Sequence, residues 1–213
     1  MNYIVNVLPQ LGSGFVTTLI VFALTIIISI PLGILVGFLM RVPVLKWVMY
    51  VYVWLMRGTP LLLQIIIFYY GPALLGLPAL TRLASCLVAF VLNYAAYFAE
   101  IFRGGIEAVP VGQLEAAKML HLSSWQAARF VTLPQVVRIV IPSVMNEVIN
   151  LVKDSSLVYI VGLFDIMQAA NVAMQRDTTI EPFLIAGVFY LVFIAILTLL
   201  ARGLESKLKI EKR

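Results

Sequence analysis

The strongest constraint on this chain is the length of its apolar runs. Phe15 to Met40 contains no charged residue. At about 1.5 Å of rise per residue, roughly 20 apolar residues cross the hydrocarbon core of a bilayer, so this run is long enough to span it. Four more runs follow, and the expected spans are residues 15–40, 47–75, 80–102, 136–164 and 183–201. Of the 213 residues, 62% are hydrophobic and only 12% are charged, where a soluble domain averages about a quarter charged. The mean hydropathy is +1.04. So little polar surface cannot cover a soluble fold, and the bilayer is the expected solvent. The reading is an all-α integral membrane protein of five transmembrane helices, a single transmembrane domain over residues 1–213. Met1 to Gly14 carries no Lys or Arg, so it lacks the charged start of a cleavable signal and is expected at the interface.

The same counts exclude several function classes. The lone Cys86 rules out a disulfide framework or a zinc cluster within the chain. The net charge of +5 reads as loops facing the cytoplasm, because no basic and aromatic patch points to nucleic acid. The sole histidine, His121, has no nucleophile or metal ligands in pattern around it. No catalytic residue, metal or bound cofactor is therefore expected.

Orientation follows from Lys and Arg. One side of the five-span arrangement collects Arg41, Lys46, Arg57, Arg103, Lys118, Arg129, Arg138, Arg202, Lys207, Lys209, Lys212 and Arg213. The other has Arg82 and Arg176, and Lys153 falls inside the fourth span. The positive-inside rule makes the first side cytoplasmic, with the N-terminus outside and the C-terminus inside. The basic tail from Arg202 to Arg213 then closes the chain on the inner side.

Several breaks interrupt the runs. Gly33 and Gly37 form a small-xxx-small pair, read either as a close helix contact or as ordinary membrane glycine. Pro31 frees backbone groups in the same run. Arg57-Gly58-Thr59-Pro60 is foreign to an apolar helix. Pro60 disfavours helix at Thr59, so a break is expected near the cytoplasmic interface, with Arg57 snorkelling or meeting a carbonyl. Gly71-Pro72 to Pro78 reads as an extracytoplasmic turn, and residues 165–182 as a second such loop.

Between the third and fourth spans lies the only long polar segment, Tyr97 to Pro134, with a loop at residues 104–135. Two short helices are expected there. The first runs from Gly112 to Leu120 on the strong helix formers Glu115, Ala116 and Ala117. The second starts at Ser123, with Gln126 three residues on as a capping box, has Trp125, Ala128 and Phe130 to bury, and ends before Leu133-Pro134. Such a pair on the inner surface is a docking element, its small residues letting a partner's groove close around it.

These residues resemble a known family. Glu115-Ala116-Ala117, followed by Leu133-Pro134, is similar to the EAA loop of bacterial ABC importer permeases. Tyr97 to Ile106 with Gly112-Gln113, Arg57 to Gln64, and Lys153-Asp154-Ser155-Ser156-Leu157 resemble further blocks of its polar amino-acid uptake branch, in the same order. The resemblance implies a MetI-like permease fold in the bacterial cytoplasmic membrane. It implies a partner ABC ATPase dimer docked on the loop through Gly112, Gln113, Glu115, Ala116, Ala117, His121 and Pro134. It also implies a second permease, identical or not, and an extracytoplasmic solute-binding protein. No Gly is followed by Lys, so the Walker A loop is absent and ATP with Mg belongs to the partner. An importer of another branch, or a secondary transporter or channel, is the alternative. His121 stands where the family usually has glycine at the turn between the short helices. Positive φ is uncommon for other residues, so a pH-sensitive dock and a tolerated substitution are both open.

Charged and polar residues inside the spans are the remaining candidates. Glu147, Asn150, Lys153, Asp154 and Ser155 in span four cannot face lipid. Lys153 lies about 22 Å along the helix from Arg138. With Asn93 and Tyr97 they are candidates for the solute path, Asp154 being available to a substrate amine. The competing reading is an ion-pair network tying spans four and two through Arg57 or Glu100. Glu100 and Arg103, three apart, either pair with each other or anchor the loop.

Overall fold

The computed structural model describes residues 2–208, and no strand occurs among them. Lys209, Lys212 and Arg213 of the basic tail lie outside the described residues. The first helix, α1, is Asn2–Leu39, 38 residues, or about 57 Å at helical rise. It overshoots the roughly 30 Å hydrocarbon core by far. Residues expected to lie at the interface are thus the first part of α1. The overshoot has a partner: α8, Ile166–Asp177, lies within the stretch expected to be loop. Val7 and Leu11 pack against Ile166, Ala169, Ala170 and Ala173. Gln10 Nε2 donates to the Ala169 carbonyl at 3.2 Å and Tyr3 Oη to Asp177 at 2.9 Å. Arg176 holds the Asp177 carboxyl down to about 2, with Tyr3 contributing.

Farther along, α1 packs on α4, Arg82–Glu107. The approach is close because Gly33 and Gly37 face it. A Cβ at Gly33 would sit 2.6 Å from Phe98 Cβ, and one at Gly37 would be 3.2 Å from the Ala99 carbonyl. A small-residue seam of this kind lets backbones meet where hydrophobicity alone gives no preference. The α4 helix supplies much of the core, with Phe90, Tyr94 and Phe98 all buried in the same cluster as Val21, Ile65 and Leu151.

The second apolar run is two helices, α2 (Pro43–Gly58) and α3 (Leu61–Leu74), bent by 105° at Thr59 and Pro60. The break falls at the residues where the sequence placed it. Met56, just before it, bonds to Asn93, which sits in the interior of α4. Arg57 therefore stands level with the middle of α4, exposed on the open side of the break. Gly71 and Pro72 belong to the end of α3, and the turn follows at Gly76, φ +70°.

The polar segment forms α5 (Val111–Met119) and α6 (Ser124–Ala127). Ser123 caps α6 in the expected reciprocal box with Gln126. The second helix does not end before Leu133-Pro134. It widens into a π turn over Ala128–Thr132 and continues as α7, Leu133–Asp154. Pro134 has no N–H to give to the Phe130 carbonyl, the helical acceptor four residues back. The winding widens just before it: the Leu133 N–H reaches Ala128, five residues back, and Gln135 Nε2 donates to the Val131 carbonyl at 2.9 Å. A 3₁₀ stretch, Ser155–Val161, extends α7, and α9 is Glu181–Lys207. Among the described residues, four helices are long and apolar enough to cross a membrane, or five if the bent α2–α3 pair is one span.

Candidate translocation cavity and docking surface

The break between α2 and α3 opens a cavity of about 640 Å³ against α4 and α7. Arg57, Gly58, Thr59 and Pro60 line it from the break, Asn93, Tyr94 and Tyr97 from α4, and Glu147, Asn150, Lys153 and Asp154 from α7. Glu147, Asn150 and Asp154 fall on one wall because residues three and four apart share a helix face. The lining carries two cations, Arg57 and Lys153, and two carboxylates, Glu147 and Asp154. Arg57 lies over the Tyr97 ring, 5.2 Å from its centroid, a placement that suits a guanidinium. Tyr94 Oη donates to Asp154 at 2.7 Å. With Arg57 on one side, Glu147, Lys153 and Asp154 on α7, and amides and phenols among them, the lining offers groups of both signs to a small zwitterion.

Of the path residues expected from sequence, Asn93, Tyr97, Glu147, Asn150, Lys153 and Asp154 meet in this cavity and Ser155 does not. Ser155 is buried beside it, its hydroxyl donating to the Val152 carbonyl at 2.7 Å. Ser156 does the same for Lys153, and these two bonds accompany the change from α to 3₁₀ winding. The four residues Arg57 to Pro60, expected at the membrane interface, line the cavity as well. The ion-pair network between spans four and two is absent among the described residues. Glu100 pairs instead with Arg103 on its own helix, and Arg103 with Glu107 at 2.7 Å. Sequence reasoning gave Gln64 no role. It is buried behind the break, and the signal was there: a lone amide in an otherwise apolar run a few residues after a proline.

The docking segment is built differently from its expectation. Trp125 and Phe130, expected to be buried, are exposed, at 71% and 66%, beside exposed Met119 and Leu120. Two helices this short enclose no core of their own, and only Ala117 in α5 is buried. Gly112, Gln113, Glu115, Ala116 and Pro134 are all on the surface. The α5–α6 turn is a Schellman motif: Leu122 N–H bonds to Ala117 and His121 N–H to Lys118. His121 occupies its left-handed position, φ +55°.

Residues 29–210 match the family model described as the binding-protein-dependent transport system inner membrane component. The chain belongs to this family. It is 37% identical over 207 residues to the arginine transport system permease protein ArtQ of Bacillus subtilis (strain 168), covering 95% of this chain and 94% of that one. Among solved structures, an amino acid ABC transporter crystallised with histidines superposes with a TM-score of 0.91 at 30% identity, over 96% of this chain and 97% of its counterpart. An inward-facing form of the MetNI methionine ABC transporter superposes with a TM-score of 0.71 over 96% of each chain. At 15% identity the likeness is one of fold. As a member of the family this chain is an inner-membrane, multi-pass permease subunit of an ABC importer, and not the ATPase itself.

Proposed function

We propose that the chain forms the translocation path of an ATP-driven importer for polar amino acids. One observation carries the reading. A single helical rod, α6 through α7, bears exposed Trp125 at one end and the cavity residues Glu147 to Asp154 at the other. Binding at the first end moves the second. The N-terminus and α8 face outwards and α5–α6 face the cytoplasm, in line with the Lys and Arg asymmetry. An ABC ATPase dimer grips α5 and α6 and holds ATP and Mg. A second permease, identical or related, completes the path, and an extracytoplasmic binding protein delivers the solute. Glu147 and Asp154 receive the solute's ammonium and Arg57 its carboxylate. The charge balance suits an α-amino acid better than a simple anion or cation.

The test is uptake of radiolabelled amino acids, L-arginine and L-histidine first, by the purified permease–ATPase complex in liposomes with candidate binding proteins. Uptake is expected to require ATP and the binding protein, and Asp154→Asn to alter preference among amino acids. Uptake that persists on ATP depletion while ion gradients are held would identify a secondary transporter instead.

A further inference from the structure

The break between α2 and α3 removes one helical hydrogen bond at a defined place. The Met56 carbonyl would accept from residue 60 in a continuous helix, but residue 60 is proline and has no N–H. Two side-chain amides replace it. Gln64 Nε2 and Asn93 Nδ2 each reach the Met56 carbonyl at 2.9 Å. Gln64 Nε2 also contacts Thr59 Oγ1 at 2.7 Å and the Thr59 carbonyl at 3.3 Å. The circuit closes on itself, since Asn93 Nδ2 reaches Gln64 Oε1 at 3.1 Å and Thr59 Oγ1 donates to the Leu55 carbonyl at 2.8 Å. Both amides are sheltered, 5% exposed for Gln64 and 4% for Asn93. Each belongs to a different helix, α3 and α4, so the circuit ties both helices to the end of α2. Buried donors without acceptors, or acceptors without donors, are costly, so both amides are held against this set of oxygens.

We infer that the Gln64–Asn93 amide pair is a latch that sets the angle between α2 and α3, and that Gln64 is a positioning residue for solute recognition. Gln64 does not line the cavity. It acts through Met56 and Thr59, which flank Arg57 in the chain, and so fixes where the guanidinium stands relative to Glu147 and Asp154. The role requires an N–H donor at position 64. A carboxylate of the same shape would face the Met56 and Thr59 oxygens with no proton to give, and a hydrocarbon would remove the amide donor from the Thr59 oxygens and leave the Met56 carbonyl to Asn93 alone. The inference rests on the cavity being the solute path.

The experiment measures uptake of radiolabelled L-arginine and solute-free ATP hydrolysis by the reconstituted complex carrying Gln64→Leu, Gln64→Glu, Asn93→Leu, the Gln64→Leu/Asn93→Leu double variant, or Asp154→Asn. Both Gln64 variants are expected to raise the half-saturating arginine concentration about tenfold, with solute-free ATP hydrolysis unchanged. The double variant should be little worse than either leucine variant alone, as for two residues acting as a unit. An unchanged half-saturation in the Gln64 variants, alongside a shifted one in Asp154→Asn, overturns the latch and leaves the cavity reading standing. If Asp154→Asn shifts nothing either, the cavity reading fails and the latch with it. Strict additivity of the leucine variants overturns the pairing, and failure of every Gln64 variant to assemble with the ATPase makes Gln64 a folding residue.

Discussion

Two of the residues held in conformations or environments they do not favour lead to predictions. His121 sits at φ +55°, where a residue with a Cβ loses on the order of 1–2 kcal/mol. His121→Gly removes that strain at a small cost in chain entropy, so thermal unfolding of the purified complex should shift up, by at most about 1 kcal/mol. His121→Val should shift it down by about 1–2 kcal/mol. Transport and its pH profile are expected to survive the glycine, and a flattened profile would establish the pH-sensing reading instead. Asp165 is the second such residue. Fully buried, it caps α8 through Oδ1, 2.9 Å from the Gln168 N–H, while Oδ2 has no hydrogen-bond partner among the described residues. Burial pushes its carboxyl from 3.8 up to about 6, against the backbone N–H groups of Gln168 and Met167. The folded state thus holds the proton more tightly than the unfolded one. Its contribution, on the order of 3 kcal/mol at most, is complete below the unfolded value and is lost as pH rises through about 6. Asp165→Asn should flatten the melting temperature between pH 4 and 7, a window set by about those two values. Parallel wild-type and variant profiles would refute the assignment.

At the scale of elements, the docking helices should behave as surface and the break as interior. Trp125→Ala is expected to leave the permease's own melting unchanged, because the ring touches little within the chain, but to weaken capture of the ATPase by about 2 kcal/mol or more. Glu115→Lys should give a folded permease that no longer couples to ATP. Co-purification and ATP-driven uptake measure both, and unimpaired coupling in either variant argues against docking on α5–α6. Much of this was legible beforehand. Ser123 and Gln126 announced the helix start, since a cap is a local pattern. Pro60 announced the break, since a missing N–H is a property of one residue. The depth of the break was not legible, because it depends on Asn93 meeting Met56, 37 positions earlier in the chain. The burial assigned to Trp125 failed for a related reason: an apolar ring reads the same whether its cover is this chain or another.

For the whole molecule, the apolar runs revealed the membrane class and the four long crossing helices, with the bent α2–α3 pair as the candidate fifth. The joining of α6, the π turn and α7 into one piece was hidden by Leu133-Pro134, which reads locally as a stop. Nor did periodicity reveal that residues 2–14 extend α1, since their partner α8 lies more than 150 residues away. The orientation predicts that a reporter enzyme fused before Met1 is active outside the cytoplasm and one fused after Arg213 inside it. The reverse pattern would invert the arrangement. The continuous rod also has a mechanical meaning. From Ser124 to Asp154 it measures about 46 Å at helical rise, with no loop to dissipate a push. On the proposed docking role it would act as a lever whose handle is Trp125 and whose tip is Asp154, a tilt of a few degrees at the handle displacing the tip by ångströms. The π turn at Ala128–Thr132 is the one place along that lever where the winding has already departed from the regular form, and bending should concentrate there.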